Sequence, residues 1–318
     1  MGSFSKIKNL LEEKNSFLLI GHIDPDGDCL GSILALGEFL ENRGKSVLLA
    51  CKDRVPKVFQ FLPNSNKIKS DFLVGDFDAV ILLDNGDFRR TGFSDRLRPL
   101  IKKTRIINID HHTKNDLWKI ADINYVDEEA SSTSEILYDL FVGIGAEITP
   151  DMATNLLAGI FNDTGGFKHP NTSTRVLQIT SSLLKRGARL KKISQNLFCN
   201  HSIEMLKLWG IALDRLIVNE KYHIVSSIIL QKDLIETGAT ENDISGLVNL
   251  INTIPNCKIA LLLYETFDGR IKGSLRTESD NINIADLAKI FGGGGHKKAA
   301  GFVIKGKIIE ENSKWKII

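Results

Sequence analysis

The stretch Gly21-His22-Ile23-Asp24-Pro25-Asp26-Gly27-Asp28-Cys29-Leu30-Gly31-Ser32 decides how the rest of the chain is read. The apolar run Phe17-Leu18-Leu19-Ile20 leads into it, and the helical spacing of Ile33, Leu34, Leu36, Phe39 and Leu40 leads out. Strand, tight Pro/Gly turn and helix follow one another, with one imidazole and three carboxylates inside the turn. Groups crowded this closely repel or titrate away unless a cation holds them. Taken alone, the stretch reads more simply as an acidic turn with a satisfied histidine. Recurrence along the chain reverses that preference.

Outward from it, residues 4–14 read as an opening helix, 16–21 as a strand, and 29–43 as a helix closed by Gly44. Residues 46–50, 78–83 and 105–109 are further strands. The run 78–83 is almost continuously apolar, as in a parallel strand covered on both faces. Strands alternating with helical segments predict an open α/β sheet. The first strand ends at His22 and its aspartates, the third at Asp84-Asn85-Gly86-Asp87, the fourth at Asp110-His111-His112. Ligand sites in open α/β sheets lie at the carboxyl ends of strands, so three strands deliver Asp and His to one edge. Ser132-x-x-Glu135 is a capping box opening a helix over 135–142. Thr149-Pro150 starts the next helix, which stops at Asp163-Thr164-Gly165-Gly166. Asp163 falls at the negative end of that helix dipole, where a carboxylate is disfavoured unless a cation is bound. The basic run from Lys185 to Lys192 reads as a solvated helix face.

The second half starts afresh: a strand over 222–230, a helix over 241–253, and strands 258–266 and 270–276 joined through Phe267-Asp268-Gly269. A helix over 284–291 leads to Gly292-Gly293-Gly294-Gly295-His296 and a closing strand through 301–304. Glycines let backbone N–H groups approach an anion closely, so Gly293, Gly294 and Gly295 are candidates for an anion-binding nest. Arg276 offers a bidentate phosphate clamp in the same half. No P-loop pattern is present, which argues against nucleoside triphosphate hydrolysis.

A chain of 318 residues suits two domains, and 42% hydrophobic with 25% charged residues is a globular composition. The expected domains are 1–190, a helical connection over 191–210, and 211–318. A net charge of +2 gives no support for a long nucleic-acid track. No apolar run reaches the roughly 18 residues of a membrane span, and the N-terminus lacks a signal-peptide core. The four cysteines, Cys29, Cys51, Cys199 and Cys257, have no paired spacing, which argues against a zinc site or disulfide framework and for the cytoplasm.

Two imidazoles with several carboxylates suit a pair of divalent cations, with manganese favoured over zinc because no thiolate pair competes, and magnesium or cobalt as alternatives. Two metals can share a carboxylate and acidify a water, which makes an in-line nucleophile for phosphorus. Phosphoester hydrolysis uses all of these parts.

These residues resemble a known family over nearly the full chain. His22-x-x-Pro25-Asp26-Gly27-Asp28-x-x-Gly31-Ser32, Asp84, Asp110-His111-His112, Asp163-Thr164-Gly165 and Gly293-Gly294-Gly295-His296-x-x-Ala299-Ala300-Gly301 are similar, in order, to the motifs of DHH phosphoesterases with a DHHA1 C-terminal domain, of the nanoRNase/pAp phosphatase type. The resemblance implies a mostly parallel DHH domain with helices on both faces, a smaller α/β DHHA1 domain, and an active site in the cleft between them. It implies one metal held by His22, Asp26 and Asp84, and a second held by Asp28, Asp84, His111 and Asp163, with Asp84 bridging. His112 would face the phosphate, Asp110 would orient it, and Arg276 and His296 would hold the substrate. Asp24 is not a ligand in that pattern, and Cys29 departs from the small residue common at its position. The implied activity is hydrolysis of very short oligonucleotides, linear dinucleotides above all, to mononucleotides, with 3′-phosphatase action on pAp; a homodimer is the oligomeric state held open. Competing expectations are a cyclic-dinucleotide phosphodiesterase, a manganese-dependent inorganic pyrophosphatase, a processive exonuclease and a non-catalytic nucleotide sensor.

Overall fold

Apolar side chains occupy both faces of the first strands, so a sheet covered on one face only would leave half of them in water. The computed structural model, which describes residues 3–198, 201–311 and 314–318, buries both faces. The chain divides into two compact units, Met1–Asn200 and His201–Ile318.

In the first unit the elements run α1 (Ser3–Glu13), β1 (Ser16–Ile20), α2 (Gly27–Glu41), β2 (Ser46–Ala50), β3 (Ala79–Leu83), α3 (Ser94–Leu97), β4 (Arg105–Asp110), α4 (Leu117–Ile120), β5 (Ile123–Val126), α5 (Thr133–Gly143), α6 (Pro150–Asp163), α7 (Thr174–Lys185) and α8 (Leu190–Phe198). The strands are parallel in the order β2-β1-β3-β4-β5. Alternate residues separate two cores. Phe17, Leu19, Ile81, Leu83, Ile107 and Ile109 pack with α1, α2 and α5–α8. Leu18, Ile20, Val80, Leu82 and Ile106 pack with α3, α4 and the loop aromatics Phe72, Phe88 and Phe93. Strand order reverses between β1 and β3, which is where a doubly wound sheet opens a ligand crevice.

Local signals explain the helix ends. Asp26 caps α2, and Gly44 (φ +72°) closes it: the Gly44 N–H donates to Glu41 O at 2.8 Å and Lys45 N–H reaches Leu40 O at 3.1 Å. Helix α5 begins two residues before the expected start, at Thr133. The expected capping box is half made: Glu135 N–H donates to Ser132 Oγ at 3.2 Å, but the Glu135 carboxylate accepts from Ser131, from its N–H at 2.8 Å and its Oγ at 2.7 Å. Helices α2 and α6 pack closely because Gly31 has no side chain; a Cβ there would stand 2.3 Å from Asn155 O. The basic residues of 185–192 are exposed, as a solvated face requires.

The second unit contains α9 (Ile203–Asp214), β6 (Ile217–Asn219), β7 (Ile224–Ile229), α10 (Gln231–Thr237), α11 (Leu247–Asn252), β8 (Ile259–Glu265), β9 (Arg270–Arg276), α12 (Ile284–Ile290), β10 (Gly294–Gly295), β11 (Ala299–Lys305), β12 (Ile308–Glu311) and β13 (Lys314–Ile317). Its sheet runs β10-β11-β9-β8-β7-β6 and is antiparallel except for β7 with β8. Helices α9–α11 cover one face and α12 the other. The single helix expected over 241–253 is broken: a short 3-10 turn over Glu241–Ile244 precedes α11, and Gly246 between them is left-handed at φ +90°. The β8–β9 hairpin turns through residues 266–269 with Gly269 left-handed at φ +77°. Among the described residues no helix is long and apolar enough to cross a membrane.

Candidate metal centre

Three strands of the first sheet, β1, β3 and β4, lead into side chains gathered at the same edge. After β1 the chain turns at Gly21, where a Cβ would collide with Cys29 Sγ at 2.3 Å, and places His22 inside, 2% exposed. His22 Nδ1 donates to the Ile23 carbonyl at 2.7 Å, so the neutral ring carries its lone pair on Nε2. That nitrogen lies 3.7 Å from Asp26 Oδ1 and 3.5 Å from Asp84 Oδ2. Asp26 is held by its capping role, accepting from the N–H groups of Asp28 and Cys29 at 3.0 and 3.1 Å. Asp24 stands apart, exposed and outside every candidate donor cluster.

After β3 comes Asp84, buried and left-handed at φ +60°. A non-glycine residue in that region is strained and is kept only where its surroundings over-determine it. Asp84 Oδ1 accepts from Thr133 Oγ1 at 3.2 Å and lies 3.5 Å from both His111 Nε2 and His112 Nδ1. After β4, the buried Asp110 organises its neighbours: Oδ2 accepts from Gly86 N–H at 2.9 Å, and Oδ1 accepts from His112 N–H at 3.0 Å and Nδ1 at 2.7 Å. His112 thus has its Nδ1 occupied. His111 turns the other way, its Nε2 3.4 Å from Asp163 Oδ2 at the end of α6.

Asp28, fully buried, receives the first amides of α5: Thr133 N–H at 2.6 Å and Ser134 N–H at 2.9 Å. Helix-start amides and dipole favour an anion there. This segment was absent from the expected site. Its one sequence signal, Ser132-x-x-Glu135, marks where a helix starts but not what its amides face. Three donor groups result, each with ligand atoms within 4.8 Å of one another: His22, Asp26 and Asp84; Asp28, His111 and Asp163; Asp84, His111 and His112.

The electrostatics call for cations. Burial, with the neighbouring Asp84 and Asp26 charges adding to it, pushes the Asp28 carboxyl well above the usual carboxylate range. Burial does the same to Asp163, with Asp28, Asp84 and Asp26 adding to it. Burial alone would lower His22, but the negative groups around it hold its proton far above the imidazole range. Cys29 is one such group only as a thiolate. Burial pushes its own thiol well up, so the Asp26 and Asp84 carboxylates hold the proton. The hydrogen bond from His112 keeps Asp110 ionised against its burial, and that bond raises His112 in turn. Among the described residues, none of Asp26, Asp28, Asp84 or Asp163 pairs with a lysine or arginine. Carboxylate oxygens and imidazole nitrogens without a thiolate are a donor set that fits divalent metal ions of intermediate hardness. Cys29 and Cys51, far apart in sequence, meet beneath Gly21 as buried free thiols; Cys199 lies outside the described residues.

The other expected residues lie in the second unit. Arg276 Nε donates to Asn249 Oδ1 at 2.9 Å and Nη1 to the Leu275 carbonyl at 2.8 Å, leaving donors over and no carboxylate partner among the described residues. It sits opposite Ala299 across the sheet, and Ala299 exchanges backbone hydrogen bonds with the exposed His296. Backbone carbonyls claim part of the expected nest. The N–H groups of Gly292, Gly293 and His296 already donate to the carbonyls of Lys289, Ala288 and Ala299 at 3.0, 2.9 and 2.7 Å. Gly294 and Gly295 pair with Gly301 and Ala300 as a strand. The glycines serve close backbone approach: a Cβ at Gly293 would stand 2.2 Å from Gly301 O, and one at Gly295 2.5 Å from Ala299 O.

Residues 16–160 match the model of the DHH family N-terminal domain, and residues 220–314 that of the DHHA1 domain. This is a DHH–DHHA1 chain. The DHH–DHHA1 protein is 28% identical over 91% of its length, and 84% of the relative's, to the bifunctional oligoribonuclease and PAP phosphatase NrnA of Thermus thermophilus. It is also 28% identical to the Mycoplasma genitalium protein of the same name, over 96% of this chain and 94% of that one. Among solved structures it is similar to an exopolyphosphatase-related protein from Bacteroides fragilis, with a TM-score of 0.87 and 27% identity over 94% of this chain and 90% of that one.

Proposed function

We propose that this DHH–DHHA1 protein is a metal-dependent phosphodiesterase that hydrolyses very short oligonucleotides, linear dinucleotides above all, to mononucleotides, and removes the 3′-phosphate of pAp. The observation that carries the proposal is Asp84. Its two oxygens face two different imidazoles, His22 at 3.5 Å and His111 at 3.5 Å, so one carboxylate joins the two donor groups. His22, Asp26 and Asp84 would hold one divalent ion, and Asp28, Asp84, His111 and Asp163 the other, with manganese the best match to these ligands. When bound, the ions supply positive charge to the phosphate oxygens and acidify water at the site. The protein's own part is positional. Asp110 fixes the His112 ring through Nδ1, which presents Nε2 to a phosphate oxygen. The α5 amides keep Asp28 in place. Arg276 and His296 hold the nucleotide, Arg276 through donors that no carboxylate claims. The names of the Thermus and Mycoplasma relatives support both substrates. Free buried thiols and nucleotide products fit the cytoplasm.

The test is a panel of linear dinucleotide, cyclic dinucleotide, pAp and pyrophosphate, incubated with purified protein and Mn²⁺ and resolved by chromatography. Mononucleotides from the linear dinucleotide and AMP from pAp are the expected products. Turnover of pyrophosphate alone, or of nothing, would overturn the proposal.

A further inference from the structure

Arg90 is the cation that the donor clusters do not use and that no sequence motif marks. Its backbone is fastened at both ends: its N–H donates to Asp87 Oδ1 at 2.8 Å, and its carbonyl accepts from Ile23 N–H at 2.7 Å, beside His22. The side chain is half-buried and returns toward the sheet edge. A Cβ built on Gly86 would lie 3.1 Å from Arg90 Nη1 and 3.5 Å from His112 Cδ2, so guanidinium and imidazole converge over one glycine two residues after Asp84. Gly86 is left-handed at φ +67° and its N–H is committed to Asp110, so this floor is fixed and bare. Among the described residues no carboxylate pairs with the Arg90 guanidinium and no hydrogen-bond acceptor takes its donors. Its neighbours Arg89, exposed, and Arg96, paired to Asp71, face a separate cleft with Lys52 and Ser94.

We infer that Arg90 is a phosphate-binding catalytic residue, whose planar guanidinium clamps the non-bridging oxygens of the phosphate being cleaved, beside His112. The inference rests on the phosphodiesterase reading and adds a role that the metal donors and the DHHA1 residues leave open. A half-buried guanidinium without an anion is costly, and a phosphate oxyanion matches its fork geometry. Because this clamp acts on the reacting group itself, it should matter for any phosphodiester, however small.

The experiment compares wild type, Arg90→Ala, Arg90→Lys and Arg89→Ala on a linear dinucleotide and on bis(p-nitrophenyl) phosphate, with Mn²⁺. Calorimetric titrations of Mn²⁺ alone, and of inorganic phosphate into Mn²⁺-loaded protein, accompany it, with thermal melts. Arg90→Ala should lose roughly tenfold to a hundredfold in kcat/KM on both substrates, the range of one charge-assisted hydrogen-bonding group. Phosphate affinity should fall with it, while Mn²⁺ affinity and melting temperature hold. Arg90→Lys should fall between, Arg89→Ala should match wild type, and added guanidinium ion should restore part of the Arg90→Ala rate. Arg90→Ala within twofold of wild type on both substrates would overturn the inference. So would loss of fold or of Mn²⁺ affinity in both Arg90 variants, which would make the arginine a scaffold residue. A wild type inert on both substrates would refute the phosphodiesterase reading; Arg90 would then stand or fall on phosphate titration, with equal affinities in wild type and Arg90→Ala counting against it.

Discussion

The carboxyl edge of the first sheet and the glycine-rich hairpin of the second solve opposite problems. At the first, Asp28, Asp84, Asp110 and His22 are each 2% exposed or less, so the fold itself presses like charges together before any ligand arrives. At the second, His296 is exposed, the amides of Gly292, Gly293 and His296 are satisfied internally, and Arg276 is held by one neutral side chain and one carbonyl. The difference teaches that a candidate metal centre can be recognised by buried like charges held close together. The candidate recognition residues carry no such tension, and show themselves only as donors left over.

The sharpest way to break this contrast is to remove the residue under greatest tension. Asp84→Ala should abolish hydrolysis, a loss of at least about a thousandfold, because it withdraws the shared ligand from both donor groups. Calorimetry should show Mn²⁺ binding lost with it while the far-ultraviolet circular dichroism stays native. Activity surviving in that variant would disprove the joint role of Asp84.

Arg276→Ala probes the other side. It should lower kcat/KM for a linear dinucleotide by about tenfold to a hundredfold, corresponding to ~1.5–3 kcal/mol for a charge-assisted hydrogen bond. Bis(p-nitrophenyl) phosphate should be cleaved almost as before, since remote contacts position a nucleotide and have nothing to grip on a small ester. Equal losses on both substrates would place Arg276 at the chemistry and erase the distinction drawn here.

Proton linkage sharpens the comparison further. Asp28 and Asp163 have folded-state pKa values above the unfolded ones, so the folded metal-free protein binds the extra protons and its stability falls as pH rises through that window. His112, also raised, contributes stability that is complete below the ordinary imidazole range and is lost as pH climbs through its folded value. Asp110 has the reverse sign, but its contribution disappears only in acid, below the usual carboxylate range. In chelator, the thermal midpoint of the first unit should therefore drop from mildly acid to mildly alkaline pH, and Mn²⁺ should raise it most at the alkaline end. A midpoint that climbs steadily with pH in chelator would contradict the buried-carboxylate account.

The smallest effect belongs to the hairpin. Gly294→Ala meets open space and should change dinucleotide turnover less than twofold, whereas Gly293→Ala must displace the Gly301 carbonyl and should lower dinucleotide kcat/KM severalfold. A large defect in Gly294→Ala would mean that its approach to an anion matters after all.

Most of the candidate metal centre is legible because many of its residues follow strand ends, and apolar runs followed by Asp or His are local patterns. Strand β5 escaped notice: four half-buried residues at the sheet edge carry neither a continuous apolar run nor a clean alternation. The helix expected over 241–253 carried a helical apolar spacing, yet Gly246 took a conformation that only tertiary context selects. The partners of Asp28 were hidden for a different reason. Backbone amides have no sequence identity, and Thr133 is 105 residues away from the carboxylate it bonds. Arg90 was invisible for the converse reason, since one arginine in a basic pair reads as surface. The glycine run is ambiguous in sequence because glycine permits both an anion nest and a tight hairpin, and the choice depends on which amides a neighbouring strand claims.

The left-handed backbone of Asp84 makes the protein vulnerable in a way unrelated to its chemistry. Such a conformation costs of order 1–3 kcal/mol for a residue with a side chain, and glycine escapes that cost. Directed evolution for heat tolerance, run without a demand for turnover, should accordingly drift at codon 84 early, and Asp84→Gly would emerge as a sturdier, inert protein. Engineering programmes on this scaffold would need activity in every round, because the shortest route to a higher melting temperature passes through the candidate metal centre.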